Sequence, residues 1–316
     1  MKAIVTGGCG FIGSHLVDNL MAAGHEVSII DNLSRGRYLW DNHPKKPMLA
    51  QKSIDSLSDL SAVFQDVKPE MVFHLAAQHY IPYCEKNPYD AFATNVQGTL
   101  NVLEAARSVP SVKKFFFAST GDVYAPCSYP HNEADPPSPV YVYGETKLAA
   151  EAMLRRYKSS VGVPFDIIIG RLFNAAGPRE TNPHFLPAVV RQIEDGANVI
   201  EVGNLWPVRD FVDVRGMAKV IRSLAERSQG LEVFNIGSGT VLTVEQALDL
   251  IVRASGKTVK VQSVAARQRA NDRPYLCPGV ARIQTLLGFA AAPFTLETAQ
   301  AIWQEPAATR ILYART

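Results

Sequence analysis

The opening thirteen residues, MKAIVTGGCGFIG, place the strongest limit on what this chain can fold into. A short β-branched run (KAIVT) leads directly into glycines at 7, 10 and 13, and an amphipathic stretch follows. A chain turning this tightly from strand to helix needs backbone without side chains in the way. The helix N-terminus then offers free N–H groups and the positive end of its dipole, a seat for a pyrophosphate. Three glycines alone are a weak signal. Asp31 strengthens it, eighteen residues past Gly13 at the tip of a second apolar run. A carboxylate there accepts hydrogen bonds from ribose hydroxyls and repels a 2′-phosphate, favouring NAD over NADP. Arg35 and Arg37 close by are the opposing signal, because arginine can hold a 2′-phosphate.

The same alternation continues through the first half. Strand-like runs stand at 2–7, 26–31, 71–76, 114–119 and 165–170, with helical patterns at 14–24, 95–108 and 146–160. This order predicts an α/β fold: a Rossmann-type, doubly wound parallel sheet covered on both faces. Past Arg171 the rhythm breaks, with prolines at 178, 183, 187 and 207. Helices are expected near 185–196, near 214–228 and from Thr243, with a strand at 231–237 and irregular chain up to Phe289. We expect a NAD-binding domain of residues 1–172 plus about 208–238, and a smaller C-terminal α/β substrate lobe of about 173–207 plus 239–316.

Composition removes several classes. Net charge is +2 with no basic block, so no nucleic-acid partner is expected. No run approaches the roughly eighteen apolar residues of a membrane span, and glycines interrupt the N-terminal apolar stretch where a secretory signal would be continuous. Four cysteines (Cys9, Cys84, Cys127, Cys277) form no CxxC pair, and no His/Cys cluster has zinc-ligand spacing. The expectation is a soluble cytoplasmic protein with reduced thiols and no metal.

Further segments carry a family likeness: DNLSRG (31–36), HLAAQ (74–78), NVQGTLNVLEAAR (95–107), YGETK (143–147), RLFNAAGPR (171–179), RDFV (209–212) and FNIGSG (234–239). In this order they resemble the extended short-chain dehydrogenase/reductases, specifically the NAD-dependent nucleotide-sugar epimerases and dehydratases, over roughly residues 1–290. The resemblance implies NAD contacts from Gly7, Gly10, Phe11, Ile12, Gly13, Asp31, Asn32, Ser34, Arg35, Gly36, Ser53, Ile54, Leu75, Ala76, Ala77, Asn95, Tyr143 and Lys147. It implies nucleotide-sugar contacts, a UDP-sugar being favoured, from Gln78, Tyr80, Cys84, Thr120, Asn174, Phe185, Leu186, Arg209 and Arg269. Ser53 stands where the family often has Asp, and Gly279 where it usually has an acid. A homodimer through helices at about 95–107 and 143–158 is implied on the same footing.

Tyr143 and Lys147 are i and i+4, so they share a helix face. An ammonium and a positive nicotinamide ring stabilise a phenolate and make a phenol of pKa ~10 a usable base. Tyr141 has Glu145 at i+4 and lacks that support. The resemblance gives Thr120 the hydroxyl that binds the reacting oxygen, and leaves Ser119 structural. It also marks Asp122 in ASTGDVYA (118–125). The family's 4,6-dehydratases carry Thr-Asp-Glu across 120–122, whereas plain 4-epimerases carry small or neutral residues at 121 and 122. Gly121-Asp122 keeps a shortened base and lacks the acid. The leading expectation is a dehydratase acting on UDP-N-acetylglucosamine or a similar UDP-hexose. It would oxidise C4, deprotonate C5 with Asp122, expel the C6 hydroxyl and return hydride, with Asp122, Cys84 or a nearby tyrosine as proton donor. A 4-epimerase, in which Asp122 only caps its loop, and a non-catalytic dinucleotide sensor are the alternatives.

Overall fold

A computed structural model of the chain describes residues 1–268 and 272–306. Seven parallel strands form the central sheet, in the spatial order Leu231–Ile236, Asp166–Leu172, Lys114–Thr120, Met71–His74, Lys2–Thr6, Glu26–Ile30, Met48–Ala50. The chain winds outward from Lys2–Thr6 to one edge, then returns past it to Met71–His74 and winds to the other. The carboxyl ends of those two strands therefore part at the switch point, where open sheets of this kind hold their ligands.

The FFF run shows why both faces are covered. Successive strand residues point to opposite faces. Phe116 packs with Leu16, Leu20, Ile221 and Leu224, beneath the helices Phe11–Ala22 and Val214–Arg227. Phe115 and Phe117 pack with Phe64, Val102 and Leu154, beneath Leu57–Val67, Gly98–Arg107 and Val142–Arg156. All three rings are fully buried, each stabilising the fold by roughly 1.5–3 kcal/mol.

Several elements differ from expectation for local reasons. The first helix starts at Phe11 rather than 14, because Gly10 already serves as its N-cap. The pattern at 95–108 opens with a π-helical turn, Ala93–Gln97, before the α-helix Gly98–Arg107. The tail holds more structure than expected: a strand Lys260–Ser263 paired with Val199–Val202, and helices Ala281–Leu287 and Leu296–Gln304. The seven-residue helix buries only Ile283 and Leu287, too few positions to show a period.

A separate apolar cluster lies beyond the sheet. Leu186, Val190 and Ile193 of helix Phe185–Glu194 meet Leu248 and Ile251 of helix Val244–Ser255. The latter helix is fixed at its start by a capping box between Thr243 and Gln246. This cluster stands over the carboxyl edge of the sheet and walls one side of the crevice. Among the described residues, no helix is long and apolar enough to cross a membrane.

Candidate active site

The crevice is a continuous cleft of about 1150 Å³. That exceeds the usual volume for one small ligand and suits a dinucleotide with a second nucleotide beside it. At the dinucleotide end the glycines are required by contact. Gly7 has φ +71°, and a Cβ on it would lie 2.8 Å from the Ala76 nitrogen. A Cβ on Gly13 would lie 2.0 Å from the Gly7 oxygen. No side chain caps helix Phe11–Ala22, so its first N–H groups remain for a ligand, as a pyrophosphate cradle demands.

Asp31 is held in place by two amides: Cys9 N donates to Oδ2 at 3.0 Å and Leu33 N to Oδ1 at 2.8 Å. Burial raises its pKa against those bonds. Gly36 lets the DNLSRG loop fold back onto the glycine turn, since a Cβ there would lie 2.0 Å from the Cys9 oxygen. Asn32, Ser34, Arg35, Ser53, Ile54, Leu75 and Ala77 line the cleft with these residues. Asn101 holds the Ile54 and Asp55 carbonyls, each at 3.0 Å. The wall thus fits a dinucleotide along its length.

At the other end of this wall Tyr143, Lys147, Thr120 and Asp122 converge. The Tyr143 hydroxyl faces Thr120, whose side chain favours the phenolate. Thr120 Oγ1 also accepts from Asp122 N at 3.1 Å and donates to Asp122 Oδ2 at 3.4 Å. Lys147 is buried, its Nζ 4.5 Å from the centroid of the Phe117 ring, and burial lowers its pKa to about 7. Burial, then the Asp122 carboxylate, pushes the Tyr143 phenol up. A cationic ring against Tyr143 acts in the opposite sense.

Two buried polar groups hold this end rigid. Asn95, in the π-helical turn, accepts from Gln78 N at 2.8 Å, and donates to Gln78 O at 2.8 Å and to Thr146 Oγ1 at 2.9 Å. It does not line the cleft; it fixes the Gln78 backbone against the helix carrying Tyr143 and Lys147. Beneath Thr120, Ser119 donates to Glu151 Oε1 at 2.6 Å, and Arg171 grips both Glu151 oxygens at 3.0 and 2.7 Å. Ser119 is thereby turned into the protein, as expected of a structural residue.

Toward the substrate lobe, Gln78, Tyr80, Asn174, Phe185, Leu186 and Arg209 line the cleft. Arg209 donates to Asp272 Oδ1 at 2.9 Å, and burial lowers its pKa. Asn174 Oδ1 is buried without a hydrogen-bond partner, an atom that a bound ligand would satisfy. Arg269 lies outside the described residues. Cys84 departs from expectation. Helix Ile81–Lys86 turns it inward, where its thiol is fully buried, bonds the Gln78 oxygen at 3.5 Å and is pushed up to about 11. It is not among the residues that line the cleft.

Two features escaped sequence reading. Buried Arg273 reaches Asp122 from the tail. His79, Glu180 and His184 meet in the cleft wall, where only the Glu180–His184 spacing of four gave any local signal.

The NAD dependent epimerase/dehydratase family matches residues 3–237. The chain is 33% identical over 266 residues to the UDP-glucose 4-epimerase of Mycolicibacterium smegmatis, covering 81% of this chain and 83% of that one. It is similar to the crystal structure of Thermus thermophilus UDP-glucose 4-epimerase in complex with NAD, with 29% identity and TM-score 0.83 over 95% and 97% of the two chains. A UDP-N-acetylglucosamine 4-epimerase from Methanobrevibacter ruminantium, in complex with UDP-N-acetylmuramic acid, is 27% identical with TM-score 0.83 over 95% and 96%. The glycine turn, the Asp31 loop and the convergence of Thr120, Tyr143 and Lys147 agree with these matches, and the chain belongs to the NAD-dependent epimerase/dehydratase family, with NAD as its cofactor.

Proposed function

We propose that the protein is an NAD-dependent UDP-sugar 4-epimerase. The observation carrying this reading is the packing at Gly121, where a Cβ would lie 3.0 Å from the buried Phe173 ring. Position 121 is where a 4,6-dehydratase carries its acid, and here Phe173 fills that space. Cys84, one of the other donors considered, is buried and is not among the residues lining the cleft. The site keeps the groups for oxidation and reduction at C4 and offers no side chain at 121 to protonate a departing C6 hydroxyl.

Thr120 binds the C4 oxygen, and Tyr143 takes its proton. Lys147 supports the phenolate from the same helix face, and the same pair returns the proton when the ketone is reduced. NAD, when bound, accepts and returns the electron pair at C4. Asn174 and Arg209 bind the diphosphate, where a planar guanidinium can bond two oxygens. Phe185 and Leu186 lie against the base. Inversion at C4 requires the ketosugar to present its second face to the nicotinamide before hydride returns. The relatives' substrates, UDP-glucose and UDP-N-acetylglucosamine by their names, support a UDP-hexose.

A dehydratase is the second reading, favoured by Asp122, whose carboxylate stands in the cleft wall beside Thr120. Turnover of UDP-glucose and UDP-N-acetylglucosamine in heavy water, followed by NMR, separates the two. A 4-epimer with its C5 proton retained supports the epimerase. Loss of water, with the C5 proton removed or exchanged for deuterium, transfers the assignment to the dehydratase, and no turnover of either sugar removes both.

A further inference from the structure

His79, Glu180 and His184 stand outside the groups used above, although they line the same cleft. Their ligand atoms all lie within 4.8 Å of one another, and Glu180 Oε2 is 3.6 Å from His184 Nδ1. The two imidazole rings meet edge to face, with centroids 5.5 Å apart.

Each ligand is held from behind. Glu180 Oε1 accepts from Thr181 N at 3.0 Å and Asn182 N at 3.2 Å, which leaves Oε2 directed at His184. His79 directly follows Gln78, whose backbone Asn95 holds in place. His79 Nε2 meets Asn182 Nδ2 at 3.1 Å, a donor that a cation would displace.

Charge points the same way. Glu180 is buried, and its ion pair among the described residues is with His184, which is 41% exposed. A buried carboxylate with so weak a counter-charge is costly, and a divalent cation answers it. A plain His184–Glu180 ion pair beside a neutral His79 is the competing explanation. Two imidazoles and one carboxylate select a borderline first-row ion over Mg²⁺ or Ca²⁺.

We propose that His79, Glu180 and His184 bind one divalent first-row metal ion, of the Zn²⁺ class, with a further coordination position open to the cleft. Asn95 ties the Gln78 backbone beside His79 to the helix carrying Tyr143 and Lys147, so the site stands near the reacting end. The open position then takes an oxygen of the sugar or its diphosphate, a clause that rests on the UDP-sugar reading above.

The test uses full-length protein stripped with chelator and titrated with Co²⁺. The expected result is one Co²⁺ per chain with the visible absorption of a four- or five-coordinate site, displaced by Zn²⁺ but not by Mg²⁺. His79→Ala and Glu180→Gln are each expected to weaken Co²⁺ binding at least ~100-fold. His184→Asn, at the most exposed ligand, provides the same readout if the buried variants fail to fold. An absent spectrum in the wild type, or unchanged binding in folded His184→Asn, overturns the site and leaves the ion pair. A Co²⁺ spectrum that UDP-glucose and UDP-N-acetylglucosamine both leave unmoved overturns the open-position clause alone. Turnover without added metal is scored separately and decides the UDP-sugar reading.

Discussion

The guanidinium of Arg273 lies against Asp122: Nη2 donates to the Asp122 main-chain oxygen at 3.3 Å, and Nε stands 3.9 Å from Oδ1. Arg273 is 3% exposed, and its Nε and Nη1 have no hydrogen-bond partner. Asp122 is therefore the counter-charge of a buried cation as well as a member of the cleft wall. Removing one partner of such a pair leaves an uncompensated charge, at a cost of roughly 3 kcal/mol. Asp122→Asn is expected to lower unfolding stability by about that amount while keeping C4 epimerisation within about tenfold of wild type. Urea unfolding and steady-state kinetics check both parts. A loss of a thousandfold or more in kcat with stability unchanged would make Asp122 a base.

In the proposed mechanism Tyr143 moves the C4 proton. Tyr143→Phe keeps the ring and its packing, and should lower kcat by about 10²–10⁴ while NAD binding is preserved. Product formation and NAD binding by fluorescence, measured on one preparation, make the comparison.

The place of Asp31 makes it the candidate determinant of dinucleotide choice. Its carboxylate already takes the Cys9 and Leu33 amides, which fixes its place at the mouth of the cleft. Asp31→Ser should weaken NAD about tenfold and narrow the preference over NADP, because the negative charge opposing a 2′-phosphate is gone. Titration with both dinucleotides measures it.

His74 ties stability to pH. It is fully buried, 2.7 Å from Thr6 Oγ1 and 2.9 Å from Thr99 Oγ1, and burial brings it down to about 3. A His depressed in the fold leaves the unfolded chain binding more protons below its ordinary pKa of 6.5. Its contribution is therefore complete above about 6.5 and is lost as pH falls toward 3. Between pH 7 and 5 this amounts to roughly 2 kcal/mol. His15, buried and lowered to about 4, adds in the same direction. Urea unfolding of His74→Gln should show a shallower loss across that interval, with the His15 part remaining.

What could be read in the sequence was what is local. The glycine turn and Asp31 lie within one strand–helix–strand unit, and Tyr143 and Lys147 are one helical turn apart, so spacing alone placed them together. Asn95, expected among the NAD contacts, instead bonds the Gln78 backbone from its π-helical turn, which spacing did not show. Other features depend on packing that spacing does not show. Phe173 fills the space beside Gly121, Arg273 reaches Asp122 from 151 residues away, and His79 meets a loop that follows it by 101 residues. Cys84 was misjudged because a six-residue helix is too short for its buried face to be recognised.

The central claim is that Tyr143 and NAD oxidise and reduce the same sugar carbon without chemistry at C5. Turnover of UDP-glucose deuterated at C4 tests it most directly, with products analysed by NMR and mass spectrometry. The expected product is the 4-epimer, with deuterium still at C4 and its mass unchanged, formed about 10²–10⁴-fold more slowly by Tyr143→Phe. A product lighter by one water, or an epimer formed at full rate by Tyr143→Phe, would contradict that claim.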